Sequence, residues 1–238
     1  ANSSLPLMKD STNYINFFTP KISFRLNPHD MKDYSESENR IDNGNVFALN
    51  RIGVNDTFEA GRSLTLGLQY KRERKNLEEI NKFFEFNLAT VIRDKEEEFI
   101  PKSSTINRKN SNIFGSIISN YSDNLDFNYN FAIDNNLNTF EFNELNAKLS
   151  VNNLVNTFKF IELNGEMGET NVFENSISYK IDKNNLLTFK TRRNRKINLT
   201  EYYDLVYEYQ NDCLTAGIKY KKLYYEDRDL KPTENLLF

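Results

Sequence analysis

The chain has 238 residues, a hydrophobic fraction of 38% and a mean hydropathy of -0.68, and it contains no run of about 18 apolar residues that could form a membrane-spanning helix. Its net charge of -3 and pI near 5.5 argue against a nucleic-acid partner, which needs a clustered basic face. One Cys and one His exclude an internal disulfide and a metal cluster of ordinary ligand spacing.

Apolar and polar residues alternate along most of the chain, and this period of two predicts strands with one apolar and one polar face. The predicted strands have eight to fifteen residues, and a tilted strand needs about nine to eleven to cross a bilayer. In chain order the eleven predicted strands are Tyr14–Leu26, Thr57–Lys71, Lys82–Arg93, Asn112–Tyr121, Leu125–Asp134, Thr139–Val151, Val155–Leu163, Val172–Ile181, Leu186–Arg193, Glu201–Tyr209 and Cys213–Tyr225.

The hairpin Tyr202–Tyr225 has the clearest alternation. Tyr and Leu side chains share one face of its first arm, and charged side chains fall on the other face of both arms. In a barrel that polar face lines a hydrated lumen. The candidate lumen residues are Asp204, Glu208, Lys219 and Lys221, although hydration alone explains them as well as contact with a sugar.

The predicted connections alternate between short and long from Tyr121 onward, except that Asn135–Asn138 is short for the long side. In a meander, successive turns lie at opposite ends of the strands, so one end collects short turns and the other collects loops. Outer-membrane barrels have this asymmetry, with short periplasmic turns and long extracellular loops. It predicts Cys213 at the periplasmic end and the basic segment Arg192–Lys196 at the extracellular end. The predicted fold is therefore all-β: an antiparallel up-and-down meander that forms part of an outer-membrane β-barrel, with about eleven strands of a larger barrel.

Two stretches carry a resemblance to a known family. The first is FFTPKISFRLNP (Phe17–Pro28), followed by NVFALNRIG and EAGRSLTLGLQYK; the second is the tail from Arg192 to Phe238 with its cysteine. Together they resemble the lipopolysaccharide-assembly protein LptD, also called the organic-solvent-tolerance protein.

The resemblance implies that residues 1–238 are a C-terminal segment of the LptD barrel domain, with the N-terminal jellyroll and the final strand absent. It implies an integral protein of the Gram-negative outer membrane that inserts lipopolysaccharide into the outer leaflet as part of a transport translocon. The implied partners are lipopolysaccharide, the plug lipoprotein LptE, an LptA-type periplasmic bridge and outer-membrane lipids, without nucleic acid. Neither a cofactor nor a metal nor catalytic residues are expected.

The resemblance implies a role for one residue, and charge indicates a role for four others. Cys213 corresponds to a cysteine that forms a disulfide with the absent N-terminal domain; the alternative is a small buried or lipid-facing hydrophobe. Basic side chains could bind lipopolysaccharide phosphates through charge-assisted hydrogen bonds, the alternative being a solvated basic loop. They are Arg192, Arg193, Arg195 and Lys196.

Two other hypotheses remain open from the residues. One is a general outer-membrane barrel, either a porin or an outer-membrane enzyme, and the enzyme would need a Ser and His constellation on one strand face. The other is a soluble β-sandwich that binds ligands or partners, whose sheets would need their second faces covered.

Overall fold

The computed structural model describes residues 1–75, 83–122, 124–224 and 233–237. They form an all-β chain whose fourteen strands pair in one antiparallel up-and-down meander. The strands follow one another in chain order, except that β1 and β2 both pair with β3. Their bounds are β1 Asn2–Ser4, β2 Leu7–Asp10, β3 Tyr14–Asn27, β4 Gly61–Arg74, β5 Phe83–Arg93, β6 Ile113–Ser122, β7 Leu125–Ile133, β8 Phe140–Val151, β9 Leu154–Leu163, β10 Thr170–Lys180, β11 Asn185–Asn194, β12 Leu199–Gln210, β13 Thr215–Leu223 and β14 Thr233–Leu237.

The predicted meander and the eleven predicted strand positions are confirmed, with end points that differ by a few residues. The observed count is higher because β1, β2 and β14 were not predicted. These strands have only three to five residues, too few for alternation to be recognised. The predicted connections Arg72–Asn81 and Glu226–Glu234 lie largely outside the described residues, as do Asp123 and Tyr225.

The start of β4 differs most from its prediction, since the strand begins at Gly61 instead of Thr57. Gly61 has a φ of 81°, a left-handed conformation that interrupts extended backbone and that glycine adopts without steric cost. The residues before it therefore turn away from the strand direction.

The chain divides into two compact units. The first contains residues 1–121, 128–143 and 163–169, and the second contains residues 122–127, 144–162 and 170–238. None of the helices in the described residues is long and apolar enough to cross a membrane.

In the first unit, the two long connections, residues 28–60 and 94–112, fold onto the sheet, and we call them the cover. They bond to each other, because the Lys102 backbone N–H donates to the Ser35 carbonyl and the Ser103 hydroxyl contacts the Ser37 carbonyl. The cover supplies most of the buried apolar core of this unit. Its fully buried side chains include Ile41, Val46, Ile52, Ile100 and Ile106.

The cover lies on the polar face of the strands. On β4, Thr65 is 0% exposed while its neighbour Leu66 is 39% exposed, and successive strand residues face opposite sides. Phe47 of the cover lies against Gly67, on the same face as Thr65. The apolar face remains uncovered and carries a row of side chains across three strands, Phe24, Leu64 and Ile92.

The second unit has the same division between faces. Apolar side chains form a row across five strands, and most of its members are exposed: Ile177, Phe189, Leu205, Tyr220 and Leu236. The neighbouring row on the opposite face is polar and consists of Ser176, Lys190, Asp204, Lys221 and Asn235. The alternation predicted for the hairpin of β12 and β13 is thus confirmed.

We expect Gly67→Ala to loosen the cover. A Cβ atom at Gly67 would lie 2.5 Å from Cζ of Phe47, so the ring must move, and overpacking of this kind costs about 1–3 kcal/mol. Limited proteolysis of the folded protein should therefore cleave the cover faster in the variant. Gly217→Ala is the matched control, because its nearest neighbour is the Tyr207 carbonyl oxygen at 3.3 Å. Equal cleavage rates in the two variants would contradict the packing of Phe47 on Gly67.

Candidate functional site

A row of polar side chains crosses three neighbouring strands beneath the cover. Arg25 of β3 pairs with Ser63 of β4, and Ser63 pairs with Arg93 of β5. Because directly paired residues face the same side of an antiparallel sheet, the two arginines flank the serine on the covered face. The next row on that face contains Ser23 and Thr65, both fully buried.

The cover contributes an ion pair to this row. Arg51 binds Glu59 through two hydrogen bonds, from Nη2 to Oε1 at 2.5 Å and from Nε to Oε2 at 2.6 Å. Arg93 also donates from Nη1 to Oε1 of Glu59 and from Nη2 to the Ala60 carbonyl. The side chains of Arg51, Arg93 and Glu59 are only 0%, 1% and 7% exposed. One carboxylate therefore serves two buried guanidinium groups.

Hydroxyl groups and carbonyls complete the cluster. The Arg51 guanidinium donates to Thr65 Oγ1 at 2.9 Å and to Ser63 Oγ at 3.0 Å. Arg25 donates to the carbonyls of Leu49 and Ala48. Two arginines thus bind a single carboxylate and Arg25 lies in the same row, so the cluster carries an excess of positive charge.

Burial and neighbouring charges shift the pKa of Glu59 in opposite directions. Burial raises the pKa of Glu59, but the hydrogen bonds from Arg51 and the charges of Arg51, Arg93 and Arg25 outweigh it, so that its pKa is lowered from the ordinary value. Glu59 is consequently ionised under neutral conditions, as its role as acceptor requires.

The predicted lumen residues lie on the polar face of the second unit. Lys219 Nζ is 3.2 Å from Oδ2 of the buried Asp204, and the Lys221 ammonium lies over the Tyr202 ring. Glu208 is exposed nearer the turn. A shallow polar cavity of about 230 Å³ opens on the same face of β9 to β12, and its lining includes Thr157, Lys159, Glu174, Ser176, Lys190 and Tyr202.

The four predicted basic residues do not converge on one point. Arg192 is neutralised by Glu174 at 2.8 Å and by Glu201 at 2.6 Å. Arg193 follows it in β11 and donates to Asn198. The exposed residues of the loop after β11 include Arg195 and Lys196. Phosphate binding by these four residues stays a prediction.

Cys213 is an exposed free thiol in the turn between β12 and β13. Its backbone N–H donates to Asn211 Oδ1 at 2.9 Å, so the turn is held without the thiol. The strand predicted from Cys213 begins at Thr215. The disulfide to a separate domain stays a prediction.

The sequence alone did not reveal the row of Arg25, Ser63 and Arg93 or its contact with Glu59. The alternation places Arg25 on the polar face of β3, but the register between strands joined by long connections cannot be read from periodicity. Within the described residues, the chain has no group of three or more His, Cys, Asp or Glu side chains that could hold a metal ion.

Comparison with protein-family models gives no match, and a search of curated proteins gives none either.

We expect Glu59→Gln to destabilise the first unit by about 3–5 kcal/mol, because it leaves two buried arginines without their carboxylate. The measurement is hydrogen exchange of amides in residues 28–60 of the folded protein. Asp94→Asn is the control, because Asp94 pairs with the 60% exposed Arg62 side chain and such surface pairs contribute little. Similar protection in both variants would mean that the buried pair does not hold the cover.

The same measurement should depend on pH in the unsubstituted protein. Glu59 has a lower pKa in the folded state than the unfolded value of about 4.3. Its stabilising contribution is therefore complete above the unfolded pKa and is lost as the pH falls through the folded pKa. Protection of residues 28–60 should decrease over this acidic range, and this part of the pH dependence should be absent in Glu59→Gln.

Proposed function

We propose that this chain forms part of the wall of an outer-membrane β-barrel that inserts lipopolysaccharide into the outer leaflet. The observation that carries the proposal is the reversed burial of the two strand faces. Polar side chains such as Thr65 are buried by the cover, whereas apolar side chains such as Leu66 are exposed.

This reversal matches a lipid environment. Soluble proteins rarely expose contiguous apolar patches larger than a few hundred Å², yet in each unit the apolar rows continue from strand to strand. Backbone polar groups within lipid must be paired internally, which neighbouring strands of a barrel achieve. The long strands, with nine to fourteen residues from β3 to β13, have the length needed to cross a bilayer at a tilt.

The polar face of the second unit suits a hydrated glycan. It combines hydroxyl groups, lysines and carboxylates around an open cavity, and such groups can exchange hydrogen bonds with sugar hydroxyls and water. Glycolipid insertion needs this combination, since the sugars require a polar path and the acyl chains an apolar one. No covalent chemistry is involved.

The choice of lipopolysaccharide among barrel functions rests on the resemblance of Phe17–Pro28 and of the tail from Arg192 to LptD. The same resemblance implies three further features: an LptE plug lipoprotein, an LptA-type bridge and a disulfide from Cys213 to another domain. Arg192, Arg193, Arg195 and Lys196 remain candidates for contact with lipopolysaccharide phosphates, with Arg195 and Lys196 the more accessible.

A soluble β-sandwich is disfavoured by the same faces. A sandwich buries the apolar faces of two sheets against each other, whereas the described strands belong to one sheet and leave apolar side chains such as Leu205 and Ile218 exposed.

The membrane assignment predicts opposite environments for the two faces of β12 and β13. Nitroxide labels placed at Leu205 and Ile218 in the full-length protein, reconstituted in bilayers with Cys213→Ser, should collide more with oxygen than with a water-soluble nickel complex. Labels at Glu208 and Lys219 are the matched controls on the same two strands and should have the opposite preference. Equal access of the nickel complex to both sets would contradict a lipid-facing apolar side.

The transport assignment predicts a specific cellular defect. When the protein is depleted in its source bacterium, newly made lipopolysaccharide should accumulate before the cell surface, as measured by surface labelling of its sugars. If the protein is a porin, its depletion should instead reduce the uptake of small solutes and leave surface lipopolysaccharide unchanged. That result would favour the general-barrel alternative.

A further inference from the structure

We propose that the row of Arg25, Ser63 and Arg93 is a binding site for a phosphate group, and that Glu59 of the cover is its built-in occupant. The phosphate and the Glu59 carboxylate would then compete for the same place. The site lies entirely within the first unit.

The register gives the site its shape. Adjacent strands are about 4.8 Å apart, so the backbones carrying Arg25 and Arg93 are separated by roughly 10 Å with Ser63 between them. Long guanidinium side chains can converge over this distance on one anion above the serine. Glu59 marks that position, because its Oε1 accepts from Arg93 and from Ser63 Oγ, the latter at 3.3 Å.

The charges favour a phosphate. Arg51 and Glu59 both belong to the cover and form an ion pair. If this segment moves away from the sheet, their opposite charges leave together and the charge on the strands is unchanged. The strands would retain Arg25 and Arg93 with no carboxylate in their row. Two guanidinium groups match a phosphate monoester, which carries about −1.5 to −2 charge and three strong acceptor oxygens.

The partners of the two arginines indicate that the cover closes this site. Arg25 donates to Ala48 and Leu49, and Arg93 donates to Glu59 and Ala60, so these partners come from one segment, residues 48–60. Arg93 Nε is buried and bonds to no partner. A tetrahedral anion offers more acceptor directions than the planar Glu59 carboxylate and could also engage this donor.

We assign the phosphate to a saccharide headgroup in preference to free phosphate. That choice rests on the proposed function, whereas the site itself rests only on the row and its occupant.

The experiment measures binding of inorganic phosphate, glucose 1-phosphate and glucose to the full-length protein in detergent by calorimetry. Removing the internal competitor in Glu59→Gln should raise the affinity for both phosphates at least tenfold, with glucose 1-phosphate the tighter ligand and glucose unbound. Adding Arg93→Gln to that variant should reverse the gain. Adding Arg62→Gln is the control, because Arg62 neighbours Ser63 but pairs with Asp94 and is exposed.

The site is refuted if Glu59→Gln binds phosphate no more tightly than the unsubstituted protein, or if Arg62→Gln weakens binding as much as Arg93→Gln. Binding of inorganic phosphate without glucose 1-phosphate would overturn the saccharide assignment alone. Neither result depends on lipopolysaccharide insertion, which the depletion experiment measures separately.

A second measurement needs no substitution and covers the case in which Glu59→Gln does not fold. Glucose 1-phosphate should accelerate proteolytic cleavage within residues 48–60 of the unsubstituted protein at least twofold relative to sodium chloride of equal ionic strength. An unchanged cleavage rate would refute competition with Glu59.

Discussion

The period of two along each strand is the constraint on which the rest of this structure depends. Because neighbouring residues face opposite sides, the chain cannot hide its polar residues and its apolar residues in the same place. Here the first unit buries the polar side, with Thr65 inside and Leu66 outside. In an ordinary soluble sheet the apolar face is buried and the polar face is exposed to water. Every later feature, from the cover to the arginine cluster, follows from which side is buried.

Burial of a polar face requires hydrogen-bonding partners, since an unsatisfied buried polar group is costly. The cover solves this in two ways. Its own apolar residues, such as Ile41 and Ile100, form a small core above the strands, and its polar groups satisfy those of the sheet. Arg51 alone reaches Glu59, Thr65 and Ser63. Because a buried ion pair gains little over apolar packing but is costly to break, the cluster contributes more to specifying where the cover docks than to overall stability.

The strands and their faces could be predicted from the sequence because alternation is a local signal. Leu64 to Tyr70 carry it without interruption, and Tyr203 to Tyr209 carry it with Val206 as the one exception. The cover could not be predicted, because residues 28–56 have no periodicity and their position depends on contacts distant in sequence, such as Phe47 on Gly67. The row of Arg25, Ser63 and Arg93 depends on the register of three strands, and a shift of one residue would move each side chain to the other face.

The polar faces of the two units differ in whether the chain itself covers them, and this difference affects how each face could bind a ligand. In the first unit the face is closed by the chain itself, and a single carboxylate, Glu59, satisfies two arginines. In the second unit the face remains open around a cavity with Lys159 and Lys190. An open face can exchange water for sugar hydroxyls at little cost, because both form comparable hydrogen bonds. A closed face can accept a ligand only by giving up an internal partner, so its occupancy is set by competition. We therefore expect hydration to govern any binding on the open face, and the strength with which Glu59 is held to govern any binding on the closed face.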